Sequence, residues 1–69
     1  MNIQFTRHSK DQMKERGISE DEVTNTIKYP EKIEKANNRY YVQKKTTNNK
    51  IEVVYVIENY IKVITVYPI

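Results

Sequence analysis

Residues 39–58 have the sequence RYYVQKKTTNNKIEVVYVIE, in which β-branched and aromatic residues alternate with polar ones on either side of a Thr-Asn-Asn segment. A period of two residues is typical of strands, and an Asn-rich segment between two such runs is typical of a turn. We therefore predict antiparallel strands at 39–46 and 50–58. The same pattern predicts further strands at 31–35 and 61–67.

The alternation also predicts which side chains share a face of this sheet. One face would be almost wholly apolar and would need a cover, since it carries Tyr40, Val42, Ile51, Val53, Tyr55, Ile57, Ile64 and Val66. The other face would mix basic, aromatic and hydroxyl groups with aliphatic ones, since it carries Arg39, Tyr41, Gln43, Lys45, Glu52, Val54, Val56, Val63, Thr65 and Tyr67. A face that is merely solvated does not need those aromatic and aliphatic residues, so we expect the second face to bind RNA or a partner chain.

Upstream of the strands, the chain carries the signals of two helices. Thr6 is a candidate N-cap for a helix over residues 7–16, and Gly17 follows where a helix end needs a positive φ. Ser19 and Glu22 have the spacing of a capping box at the start of a second helix. Both helices are available to cover the apolar face of the sheet.

The predicted order is therefore two helices followed by four strands. We expect one α+β domain over residues 1–69, with two N-terminal helices packed on a four-stranded antiparallel sheet. Ile3 and Phe5 precede the first helix either as a short strand or as an anchored arm. We expect this arm to lie beside the C-terminal strand.

Composition excludes several classes of protein. The 69-residue chain has no cysteine and a single histidine, which excludes zinc fingers, disulfide scaffolds and cysteine-nucleophile enzymes. Its acidic residues lie at capping and turn positions without the spacing of metal ligands, so we expect neither a metal nor a cofactor. No segment has the length of a membrane span, and the first residues lack the apolar run of a signal peptide. We therefore expect a cytoplasmic protein with no membrane partner.

The net charge of +3 is unevenly distributed along the chain. Residues 35–50 contain five basic residues and no acidic one, which suits a polyanionic partner. From this segment we select as candidate RNA-binding residues Arg39, Tyr41, Lys45 and Lys50. The alternative interpretation is a solvated lysine-rich face that only keeps the protein in solution.

A polar stripe on the first helix is the candidate for chemistry. His8, Gln12 and Arg16 recur at four-residue intervals, which places them on one face of the helix. His8 is a candidate proton acceptor and Arg16 a candidate phosphate ligand, while Tyr67 in the last strand is a third candidate. In the alternative interpretation, His8 caps the helix and Tyr67 only fills space. Arg16 then pairs with an acidic residue such as Glu20.

Residues His8–Ser19, HSKDQMKERGIS, resemble a known motif. The motif is His-Ala-x-x-Arg-Met-x-x-Arg-Gly-Ile-Ser, and it opens a family of small prokaryotic proteins known as domain of unknown function 4258. The pair Tyr29-Pro30 and the segment 63–68, VITVYP, agree with the family in order and spacing. The chain departs from the motif at Ser9, where the family usually has Ala, and at Gln12, where it usually has Arg.

The resemblance implies a fold and a function. The family resembles the RelE/ParE-like and barnase-like toxins, which combine helices with a four-stranded antiparallel sheet. Many of those toxins are metal-independent endoribonucleases that act on mRNA, often at the ribosome. The resemblance therefore implies a toxin-like endoribonuclease with RNA and an antitoxin as partners. It carries His8, Arg16 and Tyr67 over as motif positions, which we expect to form one catalytic site.

A second interpretation belongs to a different class of protein. The chain would then be a non-catalytic protein- or RNA-binding module, whose mixed face docks a protein or the second copy of a homodimer. Growth arrest on expression, RNA cleavage in the presence of EDTA, and oligomeric state distinguish the two interpretations.

Overall fold

A computed structural model describes residues 2–69 of the protein. Its elements in chain order are β1 (Ile3–Phe5), α1 (Arg7–Arg16), α2 (Glu20–Lys28), β2 (Lys32–Ala36), β3 (Arg39–Lys45), β4 (Lys50–Ile57) and β5 (Ile61–Pro68). The strands form one sheet in the order β1-β5-β4-β3-β2, and both helices pack on it. The α+β class predicted from the sequence is confirmed.

The sheet has five strands rather than the predicted four. Ile3–Phe5 forms β1, which pairs in parallel with β5 so that Phe5 lies opposite Val63. The other neighbouring strands are antiparallel. The prediction of a wholly antiparallel four-stranded sheet was wrong because Ile3 and Phe5 pack against the core and hold the arm in the sheet. The expected neighbour of the arm, the C-terminal strand, is confirmed.

Local signals set both helices as predicted. The Thr6 side chain accepts a hydrogen bond from the Ser9 N–H at 3.1 Å, and Gly17 follows α1 with a φ of 66°. Ser19 and Glu22 make both hydrogen bonds of the capping box at the start of α2. Only two residues of α1 are buried, so apolar packing is a small part of what seats this helix on the sheet.

Two hairpins set the register of β2, β3 and β4. Asn37 and Asn38 form a two-residue loop with φ values of 53° and 64°. Positive φ at both positions is the type I′ turn, whose twist matches that of paired strands. The loop between β3 and β4 has four residues, 46–49, and places Lys45 opposite Lys50. Both registers agree with the alternation in the sequence.

A β-bulge in β5 changes the predicted faces beyond it. Val54 lies opposite Thr65 but Tyr55 lies opposite Val63, so Ile64 is an extra residue in the strand. Val63 is therefore fully buried in the core, where the sequence predicted Ile64, and Ile64 is half-buried. The prediction assumed a two-residue loop between β4 and β5. The loop has three residues, and the bulge restores the register.

The core lies between the helices and one face of the sheet. Its buried members are Met13, Ile18, Val23, Ile27, Val42, Ile51, Val53, Tyr55, Val63 and Val66. α1 packs against β5, and α2 packs against β3 and β4. Ile57 was predicted to belong to the core but is 46% exposed at the end of β4. None of the helices in residues 2–69 has the length and apolar character that a membrane crossing requires.

Candidate functional site

The face of the sheet opposite the helices, called here the open face, is the first candidate site. The strand pairing places on it Lys32, Glu34, Arg39, Tyr41, Gln43, Lys45, Lys50, Glu52, Val54, Val56, Lys62, Thr65 and Tyr67. Val54 is only 2% exposed although it lies on the face opposite the helices. The open face therefore has an apolar floor beneath a polar surface.

All four predicted RNA-binding residues lie on the open face. Lys45 and Lys50 stand directly opposite each other at the hairpin end of the sheet. Arg39 is six residues before Lys45 in β3, which separates their backbones by about 20 Å along the strand. Tyr41 lies between them and is half-buried. Three of these residues follow β3 and the fourth, Lys50, lies beside Lys45 in β4, so they do not form a compact cluster.

Two further cations, which were not among the candidates predicted from the sequence, also lie on this face. Lys32 pairs with Gln43, and Lys62 pairs with Val56. Lys62 was missed because the bulge, which no sequence pattern indicates, moves it from the predicted helix side to the open face. Lys32 could have been assigned to this face from the sequence, since it alternates with Ile33 in β2.

The acidic side chains of the open face are bound to neighbours. Glu52 accepts a hydrogen bond from Gln43 Nε2 at 2.7 Å, and Glu34 lies 3.5 Å from Lys32 Nζ. Within the part of the chain that the structure describes, four cationic side chains of this face make no ion pair, namely Arg39, Lys45, Lys50 and Lys62. The open face therefore presents uncompensated positive charge.

Helix α1 lies along the outer edge of β5, just beyond the point where β1 ends. The Thr6 N–H donates to the carbonyl oxygen of Val63 at 3.1 Å, and Thr6 Oγ1 donates to the carbonyl oxygen of Ile64 at 3.3 Å. Through these hydrogen bonds the residue between β1 and α1 contacts the same edge of β5 that β1 does. The chain thus covers the β5 edge first with a strand and then with a helix.

The stripe residues Gln12 and Arg16 continue this edge contact. Gln12 Oε1 accepts from the Val66 N–H at 2.9 Å and from Thr65 Oγ1 at 2.7 Å. Arg16 Nη1 donates to the carbonyl oxygen of Val66 at 3.1 Å. Both backbone groups of Val66 are therefore satisfied by helix side chains, which take the place of a neighbouring strand. The alternative in which Arg16 pairs with Glu20 was wrong.

The three predicted catalytic residues lie on two elements, α1 and β5. His8 is exposed in the first turn of α1, and Arg16 lies two turns later, about 12 Å further along the helix axis. Arg16 reaches the peptide bond that joins Val66 to Tyr67. The Tyr67 side chain is half-buried on the open face, opposite Glu52. Arg16 thus contacts the β5 backbone next to Tyr67. A single site that contains His8, Arg16 and Tyr67 stays a prediction.

Three other tyrosines of the chain lie outside the open face. Tyr40 and Tyr55 stack on each other on the helix side of the sheet, with ring centroids 5.1 Å apart, and Lys35 Nζ lies 5.3 Å from the Tyr40 centroid. Burial raises the pKa of Tyr55 above its ordinary value. The half-buried Tyr60 lies in the loop between β4 and β5, where a hydrogen bond with Glu58 raises its pKa. Tyr41 and Tyr67 therefore remain as the aromatic groups of the open face.

Glu22 links α2 to the loop between β3 and β4. Its Oε1 accepts from the Ser19 N–H at 3.2 Å, and its Oε2 accepts from Thr46 Oγ1 and, at 3.2 Å, from Asn49 Nδ2. The hydrogen bond from Thr46 is the main reason that the pKa of Glu22 lies below its ordinary value. Sequence analysis identified the capping role of Glu22 but not this second one, because Thr46 and Asn49 are more than 20 residues away.

The lowered pKa of Glu22 predicts an acid-dependent loss of stability. A carboxyl group whose pKa is lower in the folded state stabilises the fold above its unfolded pKa, and the contribution is lost as pH falls through the folded value. We expect Glu22→Gln to cost about 1 kcal/mol of unfolding free energy at pH 7, and less as the pH approaches 3. Urea titration at a series of pH values measures this. Glu20→Gln, which changes the same charge at an exposed position, is the control, and equal losses in both variants would contradict the assignment.

Residues 2–69 contain no group of three or more His, Asp or Glu residues that could hold a metal ion.

The comparisons with known proteins identify a family but no characterised relative. No curated protein and no solved structure matches the chain. A family model described as Domain of unknown function (DUF4258) matches residues 5–68. The match extends from the last residue of β1 to the last residue of β5, and the chain therefore belongs to this family.

Proposed function

We propose that the protein is a small toxin-like protein of the cytoplasm that binds single-stranded RNA through its open face. The observation that carries the proposal is the group of four cations that, within residues 2–69, make no ion pair and lie on a face that no described helix covers. Tyr41 and Tyr67 lie on the same face and offer rings on which bases can stack. Cations that follow a backbone together with aromatic rings that hold bases are typical of single-strand binding.

The placement of two neighbouring lysines gives a direct test of RNA binding. Lys45 projects from the open face, whereas Lys44 projects to the helix side, where its Nζ donates to the carbonyl oxygen of Tyr29 at 2.9 Å. We expect Lys45→Ala to weaken RNA binding more than Lys44→Ala does. Fluorescence anisotropy with an unstructured oligoribonucleotide measures both, and the melting temperature of each variant confirms that it is folded.

The salt dependence of the same binding counts the phosphate contacts. Each contact to a single strand lowers log affinity by about 0.7 per unit of log salt concentration. Three or four contacts predict a slope of roughly −2 to −3, and Lys45→Ala should reduce its magnitude by about 0.7. A flat salt response with equal, negligible losses in both variants would mean that the charge only keeps the protein in solution.

A second proposal is that the protein cleaves the RNA without a metal ion. The observation in favour is the position of Arg16, which spends one of its five N–H donors on the Val66 carbonyl and keeps the others for a phosphate. In such cleavage the 2′-hydroxyl attacks the adjacent phosphorus while a base takes its proton. The bond to the 5′-oxygen breaks, that oxygen takes up a proton, and a cyclic phosphate is left. His8 would accept the first proton and Arg16 would bind the phosphate, with Tyr67 or Lys45 assisting the leaving oxygen.

Cleavage is tested with EDTA present and with variants that spare the fold. His8→Ala and Tyr67→Phe are expected to lower the cleavage rate with unchanged melting temperatures. For Arg16 the appropriate variant is Lys, which keeps a donor for the Val66 carbonyl but loses the guanidinium fork. Binding without cleavage would leave the non-catalytic RNA-binding module. Neither binding nor cleavage would favour a module that binds a protein.

The antitoxin partner is tested in cells. Expression of the chain alone should arrest growth, and co-expression of the neighbouring open reading frame should relieve the arrest. Growth that is equally normal in both cases would contradict the toxin-like role, and the RNA-binding measurements above would still decide whether the open face binds RNA.

A further inference from the structure

We propose that two copies of the protein associate through β2, which pairs antiparallel with the β2 of the second copy about a two-fold axis at Ile33. The sheet would then continue from one copy into the other. This inference is independent of RNA binding and rests on the edge strand, its backbone and its charges.

The strand β2 is the one long sheet edge that the described part of the chain leaves open. The sheet ends at β1 on one side and at β2 on the other, and β1 has only three residues. All five residues of β2 are exposed, and Ile33 keeps 55% of its surface exposed on the helix side. The helices pack on β3, β4 and β5, so no helix blocks approach to this edge.

The hairpin geometry determines which backbone groups point outward from β2. A two-residue loop closes on a hydrogen-bonded pair, which here is Ala36 with Arg39. Hydrogen-bonded and non-bonded pairs then alternate along the strands, so Glu34 and Lys32 direct their backbone groups towards β3. Ile33 and Lys35 direct theirs outward. If two copies pair at Ile33, the Ile33 N–H of each copy donates to the Ile33 carbonyl oxygen of the other. This forms two new hydrogen bonds.

This register also places opposite charges across the axis. Ile33 of one copy lies opposite Ile33 of the other, and Lys32 lies opposite Glu34. By symmetry this pair occurs twice, so both charged neighbours of Ile33 in β2 face a residue of opposite charge.

The neighbouring registers that keep the same strand faces place like charges opposite each other. A shift that centres the axis on Glu34 places the two Glu34 side chains opposite each other and Ile33 opposite Lys35. Centring on Lys32 or on Lys35 likewise opposes two lysines. Like charges that face each other directly are destabilising, so the charge sequence selects the register at Ile33. Registers shifted by one residue pair outward groups with inward ones and form no ladder.

The interface is small, and the association should depend on concentration. One strand edge and a pair of Ile33 side chains bury less surface than a permanent dimer interface does, so we expect a weak, reversible dimer. Since the axis is perpendicular to the sheet, the open faces of both copies would lie side by side on one surface. A single RNA strand could then contact both.

Sedimentation equilibrium of the full chain over micromolar to millimolar concentrations tests the dimer. The wild type is expected to self-associate, and Ile33→Lys, which places two like charges at the axis, should remain monomeric. Ile33→Pro removes the outward N–H and should do the same, since proline is tolerated at such a position of an edge strand. Ile57→Lys is the control, because Ile57 is similarly exposed but lies in β4. A monomeric wild type, or a dimer unaffected by both Ile33 variants, would overturn the proposal.

A charge exchange tests the register itself. Lys32→Glu and Glu34→Lys each place like charges across the axis twice, and each should weaken the dimer about tenfold. The double variant with both changes restores opposite charges and should recover the association of the wild type. Dimerisation that the double variant fails to recover would contradict pairing at Ile33. Circular dichroism of the three variants verifies that the monomer keeps its fold.

Discussion

Val53→Asp is expected to unfold the protein. Val53 is fully buried in the centre of the sheet, between Val42 in β3 and Val66 in β5. The substitution removes apolar burial that contributes about 1.5–3 kcal/mol and places a carboxylate inside the apolar core. An uncompensated buried charge costs several kcal/mol more, and a small domain has only about 5–15 kcal/mol of stability in total.

Circular dichroism and thermal melting of matched variants test this expectation. Ile57→Asp introduces the same carboxylate into the same strand at a position that is 46% exposed, and it should melt within a few degrees of the wild type. Glu58→Ala, in the loop after β4, should also stay folded. If all three variants melted alike, the core would not lie where the structure places it.

Gln12→Leu is expected to cost about 2–3 kcal/mol of unfolding free energy, although it makes α1 more apolar. The amide oxygen of Gln12 accepts two hydrogen bonds, from the Val66 N–H and from Thr65 Oγ1. Leucine is apolar, is one heavy atom shorter and accepts neither. A buried donor that loses its partner costs about 1–3 kcal/mol, which exceeds the gain from one additional apolar side chain at a half-buried position.

The role of Gln12 as an acceptor distinguishes it from a residue that only packs. Gln12→Glu keeps an acceptor at the same place and should retain most of the stability, whereas Gln12→Lys supplies only donors and should lose as much as leucine does. Gln4→Leu, on the exposed side of β1, is the control for replacing a glutamine with an apolar residue. Equal stability of the glutamate and lysine variants in urea titration would contradict the bonds to β5.

Structure set by nearby residues could be predicted from the sequence. The bounds of α1 and α2 follow from Thr6, Gly17 and the Ser19–Glu22 pair, each of which acts within four residues. The registers of β2, β3 and β4 follow from alternation and short turns. The open face and its four candidate RNA-binding residues were predicted for the same reason.

Structure that depends on distant partners could not be predicted. The bulge at Ile64 requires knowledge of the β4–β5 loop length, and without it Val63 and Lys62 were placed on the wrong sides of the sheet. The polar stripe on α1 was predicted, but the hydrogen bonds that two of its residues make with β5 were not. Gln12 and Arg16 bind backbone groups 50 or more residues away, and nothing near them in the sequence indicates those groups.

The docking of α1 on the edge of β5 has a consequence for how the chain folds during synthesis. The hydrogen bonds that hold α1 on the sheet join residues 6–16 to residues 64–66, so they cannot form until β5 has left the ribosome. The loop that closes with these contacts spans most of the chain, and ordering it is slow compared with forming the local hairpins. We therefore expect the hairpin of β2 and β3 to form before the N-terminal helix joins the sheet, although the helix is made first.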